Sequence, residues 1–210
     1  MYKKLDDAAI ESLLEVGIDE FADKGLDRAN INHIAERAQV SVGVIYKYYH
    51  DKDQFFIACV EHSLKLLETT MQEVIASADD IEACIRLLLK ELIDGADKHR
   101  NYYVMYNEIT SGRCQKFAID LARKIEGRTS KIYAELVEKA QQEGKLKYKG
   151  NPQMFAYFFD SILMMMQFSF SCEYYKERLK IFCGEEILDN KEKLAESFLG
   201  VMSSALGIET

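Results

Sequence analysis

Residues 31–49 read Ile-Asn-His-Ile-Ala-Glu-Arg-Ala-Gln-Val-Ser-Val-Gly-Val-Ile-Tyr-Lys-Tyr-Tyr. A short helix fits Ile31 to Ala38, with Asn30 placed to cap it, and a second fits Val42 to Tyr48 with Ser41 as its cap. Ile34, Ala35, Ala38 and Val40 are small or apolar where two helices must cross closely. On the second helix Ile45 and Tyr49 lie one turn apart and pack inward. At about 100° per residue, Gly43 and Lys47 then point outward, with Val44 and Tyr46 on the flanks. Upstream, Ile10, Leu13, Leu14, Gly17, Ile18 and Phe21 form a helical stripe over Asp6 to Lys24, ended by Gly25 as the C′ residue. Three helices, the last two short and joined by a tight turn, make a helix-turn-helix.

Charge is partitioned along this segment. Lys3 to Asp27 holds three basic and eight acidic residues, whereas Arg28 to Lys52 holds four basic and two acidic ones. The acidic charge sits on the first helix, away from the face carrying Gly43, Tyr46 and Lys47. A glycine beside a lysine and a tyrosine lets that face approach a polyanion closely. Lys52, opening the next long helix, is placed to meet phosphate together with that helix's N-terminal dipole.

The run from Leu13 to Phe56 resembles the DNA-binding domain of the tetracycline-repressor (TetR) family of bacterial transcriptional regulators. The matching residues are Leu13-Leu14, Phe21, Gly25, Ile34-Ala35, Ala38, Val40-Ser41, Gly43, Tyr46, Tyr49, Lys52 and Phe55. Gln39 stands where the family usually has glycine, Tyr48 where histidine is common, and Val42 where a basic or polar residue is frequent. The resemblance implies that Asn30, Ser41, Tyr46, Tyr48 and Lys52 hold phosphates, contacts that position the domain. It also implies that Val42, Gly43, Val44 and Lys47 face the major groove, where lysine reads guanine and valine meets a thymine methyl. Such domains act in pairs, about 34–36 Å apart or a multiple of it, on a palindromic operator in double-stranded DNA.

Beyond the first fifty residues helical patterns continue. Asp53 to Ser77, Ile81 to Lys98 behind Asp79-Asp80, Asn101 to Thr110, and Arg113 to Glu143 follow in turn, the last two separated by Ser111-Gly112. Gly127 allows a bend or close packing in the fourth of these, and Gly144 ends it. Asn151-Pro152 opens a helix reaching about Tyr175, and Asp189-Asn190 precedes a last one to Leu206. The fold class is all-α with about nine helices: a helix-turn-helix domain (residues 1–52) and a larger helical ligand-binding and dimerisation domain (residues 53–210).

Fourteen of the 23 aromatics and five of the eight methionines fall between Asn101 and Tyr175. The resemblance implies an effector pocket there. Tyr102, Tyr103, Met105, Tyr106, Phe117 and Tyr133 are the candidates to line it, suited to an aromatic or hydrophobic small molecule. Along the helix opened by Pro152, Tyr157, Ser161, Met164 and Phe168 form one apolar stripe and Met154, Phe158, Ile162, Met165 and Ser169 another. One packs on the body and one, Tyr157 to Phe168, on a second copy in a homodimer. Asp160 inside this run sits at an edge, pairs across the interface, or meets a cationic ligand.

The chain has 210 residues, a net charge of −8 and five cysteines without a C-x-x-C pair. That argues against a disulfide scaffold and for reduced, buried thiols. No uncharged stretch exceeds the twelve residues of Ser161–Cys172, against roughly 20 for a membrane span, and no apolar leader opens the sequence. A cytoplasmic protein without a membrane partner is expected. None of the four histidines follows a glutamate at Glu-x-x-His spacing, and zinc-protease, nucleophile-elbow, P-loop and dinucleotide motifs are absent. No catalytic residue, metal site or cofactor is therefore expected. The expected function is a ligand-responsive repressor that an effector releases from its operator. The alternative is a helical ligand- or partner-binding dimer that has lost sequence-specific DNA binding.

Overall fold

The computed structural model describes residues 5–110 and 114–208, which form ten α-helices and two short 3₁₀ turns. In chain order the helices are α1 (Asp7–Arg28), α2 (Ile31–Arg37), α3 (Val42–Tyr49), α4 (Lys52–Ser77) and α5 (Ile81–Lys98). Then come α6 (Arg100–Thr110), α7 (Ala118–Gln142), α8 (Pro152–Ser171), α9 (Glu173–Cys183) and α10 (Lys191–Leu206). The 3₁₀ turns cover Gln115–Phe117 and Glu185–Leu188. Ser111-Gly112 and the proposed helix start at Arg113 lie outside the described residues.

Side-chain caps set most boundaries. Asp6, Asn30, Asp51, Asp80, Asn151 and Asn190 each accept backbone N–H bonds from the first turn that follows. Ser41 occupies the cap position of α3 but makes no side-chain cap bond. Gly25 breaks α1 with φ 71°, a conformation that favours glycine, and a Cβ there would have to displace only the end of the Glu108 side chain. At Gly127, by contrast, α7 runs on unbroken and nothing crowds the glycine.

The helix expected from Pro152 to Tyr175 is instead two. Cys172 is extended (φ −129°, ψ 121°) and α9 leaves at 107° to α8. Neither proline nor glycine marks the break. The Ser171 hydroxyl bonds the Gln167 carbonyl at the end of α8, a local competition with the helical ladder.

Two apolar cores result. The larger joins α4, α5, α7, α8 and α10 around Leu89, Val137 and Phe159. The other is built on Phe21, which meets Phe55 and Phe56 at 5.8 and 5.1 Å between ring centres. That second core contains Ile34 and Ile45 of the helix-turn-helix, and also Met105, Ile109, Leu121 and Ile125 of α6 and α7. The helix-turn-helix segment therefore shares its core with the body. Cys59, Cys84 and Cys114 are buried thiols and Cys183 is exposed.

Gln39, where the resemblance expects glycine, keeps the left-handed turn with φ 55°. A side chain there costs about 1 kcal/mol or somewhat more. Gln39→Gly should raise the melting temperature by about 2–4 °C. A lowered melting temperature would mean that Gln39 contributes contacts outweighing the strain.

Candidate nucleic-acid interface and effector region

Local forces hold α2 and α3 in place from behind. Glu20, on the inward stripe of α1 and 4% exposed, accepts the Asn30 backbone N–H at 3.1 Å and pairs with His33 Nδ1 at 2.6 Å. Asp19 binds Arg37 of α2 at 2.8 Å. Ile45 is fully buried, and Tyr49 packs its ring 5.0 Å from Phe55. With these contacts inside, α3 presents Ser41, Gly43, Tyr46 and Lys47 to solvent, and Tyr46 is 41% exposed.

This face is unencumbered. Lys47 and Tyr46 form no hydrogen bond, ion pair or ring contact among the described residues. A Cβ on Gly43 would meet only Ser41 Oγ, at 3.8 Å, so the fold itself does not require glycine there. The uncapped first turn leaves backbone N–H groups and the Ser41 hydroxyl facing outward, an arrangement suited to an anion.

Four other residues expected at the DNA are buried or half-buried. Val44 is only 9% exposed, because its flank of α3 closes against the subunit. Val42 is half-buried and packs on the core's edge. Tyr48 accepts the Leu5 backbone N–H at 2.9 Å, which anchors the chain preceding α1. Lys52 donates to the carbonyl oxygens of Asp27 (3.0 Å) and Ala29 (3.3 Å), where α1 ends and a cation is electrostatically favoured. Its ammonium thereby ties the end of α1 to the start of α4. Asn30 is exposed, its amide oxygen engaged in capping α2.

The six residues expected around an effector are not gathered at one cavity. Tyr102 lies at the α1–α6 seam, its hydroxyl on Glu15, which also accepts His62 Nε2 at 2.9 Å. Met105 is buried in the Phe21 core, and Phe117 stacks on Phe56 at 6.3 Å. Tyr103 donates to the Leu92 carbonyl at 2.7 Å. Tyr106 donates to Glu126 at 3.2 Å, whereas Tyr133, 4% exposed in the other core, has only the Met71 sulfur, at 3.9 Å. The physical reason for the dispersal is that α6 and Phe117 pack on the Phe21 core, whereas Tyr133 of α7 belongs to the larger one. A cleft of about 360 Å³ between α4 and α7, reaching Met71, Ile125 and Thr129, is lined by none of the six.

The α8 stripe also divides. Tyr157 is 67% exposed, Ser161 is half-buried, Met164 lies 3.7 Å from the Tyr106 hydroxyl, and Phe168 is buried against Tyr106 and Tyr175. Met154, Phe158 and Met165 of the other stripe are exposed, while α9 packs on the Phe168 end of the helix.

What composition and spacing missed is chiefly the acidic side of α1. Glu20 falls among Gly17, Ile18 and Phe21 on the buried stripe, and a carboxylate at a core position was the available signal. Glu15 and Asp19, the latter bound by Asn101 at 2.7 Å, tie α1 to α6 and had no signature in the sequence.

Burial, and then the neighbouring Glu126 carboxylate, push Asp160 up to about 6 from 3.8. Burial likewise raises Glu126, against the lowering effect of Tyr106 and Thr129. Because the folded Asp160 holds its proton more tightly than the unfolded one, it contributes stability that is present below about pH 4 and lost as pH rises through 6. Thermal melting of the parent and Asp160→Asn should therefore diverge from pH 4 to 7, in favour of the variant. A pH-independent difference would contradict this.

Residues 13–59 match the family model described as "Bacterial regulatory proteins, tetR family". An HTH-type transcriptional repressor of Mycobacterium tuberculosis, Rv3405c, is 33% identical over 89 residues, covering 40% of this chain and 46% of that protein. The regulator YvdT of Bacillus subtilis is 26% identical over 98 residues, covering 45% and 49%. The chain thus spans about half the length of the curated relatives it matches. Solved structures agree over nearly all of it. FadR from Bacillus subtilis in complex with stearoyl-CoA superposes with a TM-score of 0.75 at 14% identity, covering 93% of this chain and 98% of that one. The ketosteroid regulator KstR2 of Mycobacterium tuberculosis gives 0.65 at 14%, covering 99% and 97%. At such identities the likeness establishes the fold.

Proposed function

This chain is a member of the TetR family of bacterial regulators, and on that premise we propose that it is a ligand-responsive repressor working in the cytoplasm. As a homodimer it binds a palindromic operator, and a small-molecule effector in the body releases it. The observation that carries this reading is the outer face of α3, where Lys47 and Tyr46 stand exposed without partners beside Gly43. In a chain of net charge −8, a free lysine, a phenol and unpaired helix N–H groups on one face suit a phosphate backbone and base edges.

Dimerisation rests on apolar exposure. Met154, Tyr157, Phe158 and Met165 on α8 and Val201 on α10 are 48–68% exposed. That is more apolar surface than a monomer carries without a partner, and a second copy related by a two-fold axis covers it. Release follows from the shared core. An effector that fits a body conformation in which α6 is displaced shifts α1, and α2 and α3 with it. That FadR of this architecture is solved in complex with stearoyl-CoA supports an effector in the body.

Selection of binding sites from random duplex DNA tests the reading. The parent should enrich a palindrome, and Tyr46→Ala/Lys47→Ala should not. Failure of the folded parent to enrich any site at low salt would favour a ligand- or partner-binding dimer without operator recognition.

A further inference from the structure

None of the 11 residues of α9 is buried. Tyr174, Ile181 and Phe182 are 72–73% exposed. At about 100° per residue they share one face with Arg178, whose guanidinium lies 4.8 Å from the Phe182 ring centre. The rest of the helix carries what ties it down. Tyr175 meets Phe168 at 5.4 Å, Leu179 packs at the edge of the larger core, and Lys180 pairs with Glu185 at 3.7 Å. A helix this short is marginal in water by itself, and an open apolar face adds nothing to it. Its place in the fold is a second observation. The α8 stripe of Tyr157, Ser161, Met164 and Phe168 is open at Tyr157, which is 67% exposed, and covered at Phe168 by α9, which stands at 107° to α8. A wall about 16 Å long therefore closes one end of the open face of α8.

Area decides what covers this wall. Met154, Tyr157, Phe158 and Met165 of α8 and Val201 of α10 are 48–68% exposed, which at roughly 200 Å² for each side chain gives about 500 Å² of apolar surface. Obligate homodimers take about 1,000 Å² or more from each partner, about two-thirds of it apolar, so α8 and α10 alone fall short. Tyr174, Ile181 and Phe182 add about 400 Å² and close the gap. A copy lying along α8 also runs against the helix standing at its end, so the occupant is the same chain. We propose that α9 is a clasp: a second copy seated on α8 and α10 is held from the side by Tyr174, Ile181 and Phe182. This rests on the homodimer reading and extends the interface to an element outside the two helices that carry it.

The test is sedimentation equilibrium of the whole protein. Ile181→Glu/Phe182→Glu should raise the dimer dissociation constant at least tenfold, with helix content by circular dichroism unchanged because both side chains are exposed. Ile181→Leu/Phe182→Leu should dimerise like the parent. Cys183, the exposed thiol at the end of α9, supplies an independent readout. Cys172→Ser protein carrying a benzophenone maleimide on Cys183, mixed with an equal amount of isotope-heavy protein, should give cross-linked peptides that join light and heavy chains. A dissociation constant for the glutamate variant within twofold of the parent, or cross-links from Cys183 confined to its own chain, overturns the clasp. Tyr157→Glu separates the two claims. A parent dimer weakened by Tyr157→Glu and not by Ile181→Glu/Phe182→Glu keeps the homodimer and overturns the clasp. A parent that is monomeric at micromolar concentration, with and without its selected duplex, overturns both.

Discussion

The contact of Phe21 with Phe55 and Phe56 is the constraint on which the rest of the structure depends. Three helices of which two have seven and eight residues cannot bury enough apolar surface to stand alone. They fold because all three of these rings are fully buried, each contributing about 1.5–3 kcal/mol. Two belong to α4, and Phe56 in turn stacks on Phe117 ahead of α7. The helix-turn-helix is therefore one wall of a core whose other wall is the body. Polar pins follow the same division. Glu20 and Asp19 fix α2, while Glu15 and Asp19 hold α6 through Tyr102 and Asn101.

Electrostatics fits a function that the net charge alone would disfavour. Glu15, Asp19 and Glu20 of α1 are engaged by groups of α2, α4 and α6, while the Lys47 ammonium has no partner among the described residues. In the body, burial raises both Asp160 and Glu126, and the Glu126 carboxylate raises Asp160 further.

Much of this was legible before the structure. Caps such as Asn30, Asp80, Asn151 and Asn190 act within one turn, so their residue type and position suffice to place them. The left-handed turn at residue 39 was legible through its family position even with glutamine present. The break at Cys172 was not, because no proline or glycine signals it. For Lys52 and Tyr102 the partners inside the fold were not legible, for a common reason. A long polar side chain at a functional position and one reaching a carbonyl or carboxylate of another helix are identical in sequence, and long-range pairing decides between them.

The central claim is that reading DNA and sensing in the body are coupled through α1 and its contacts with α6. Hydrogen–deuterium exchange of the protein with and without its selected duplex tests it most directly. Linkage requires that DNA binding, by holding α2 and α3, also slow exchange in α6, residues 100–110. Protection in α2, α3 and α6 together is the predicted result. Protection confined to α2 and α3, with α6 unchanged, would contradict the coupling and make the DNA-reading segment an independent module.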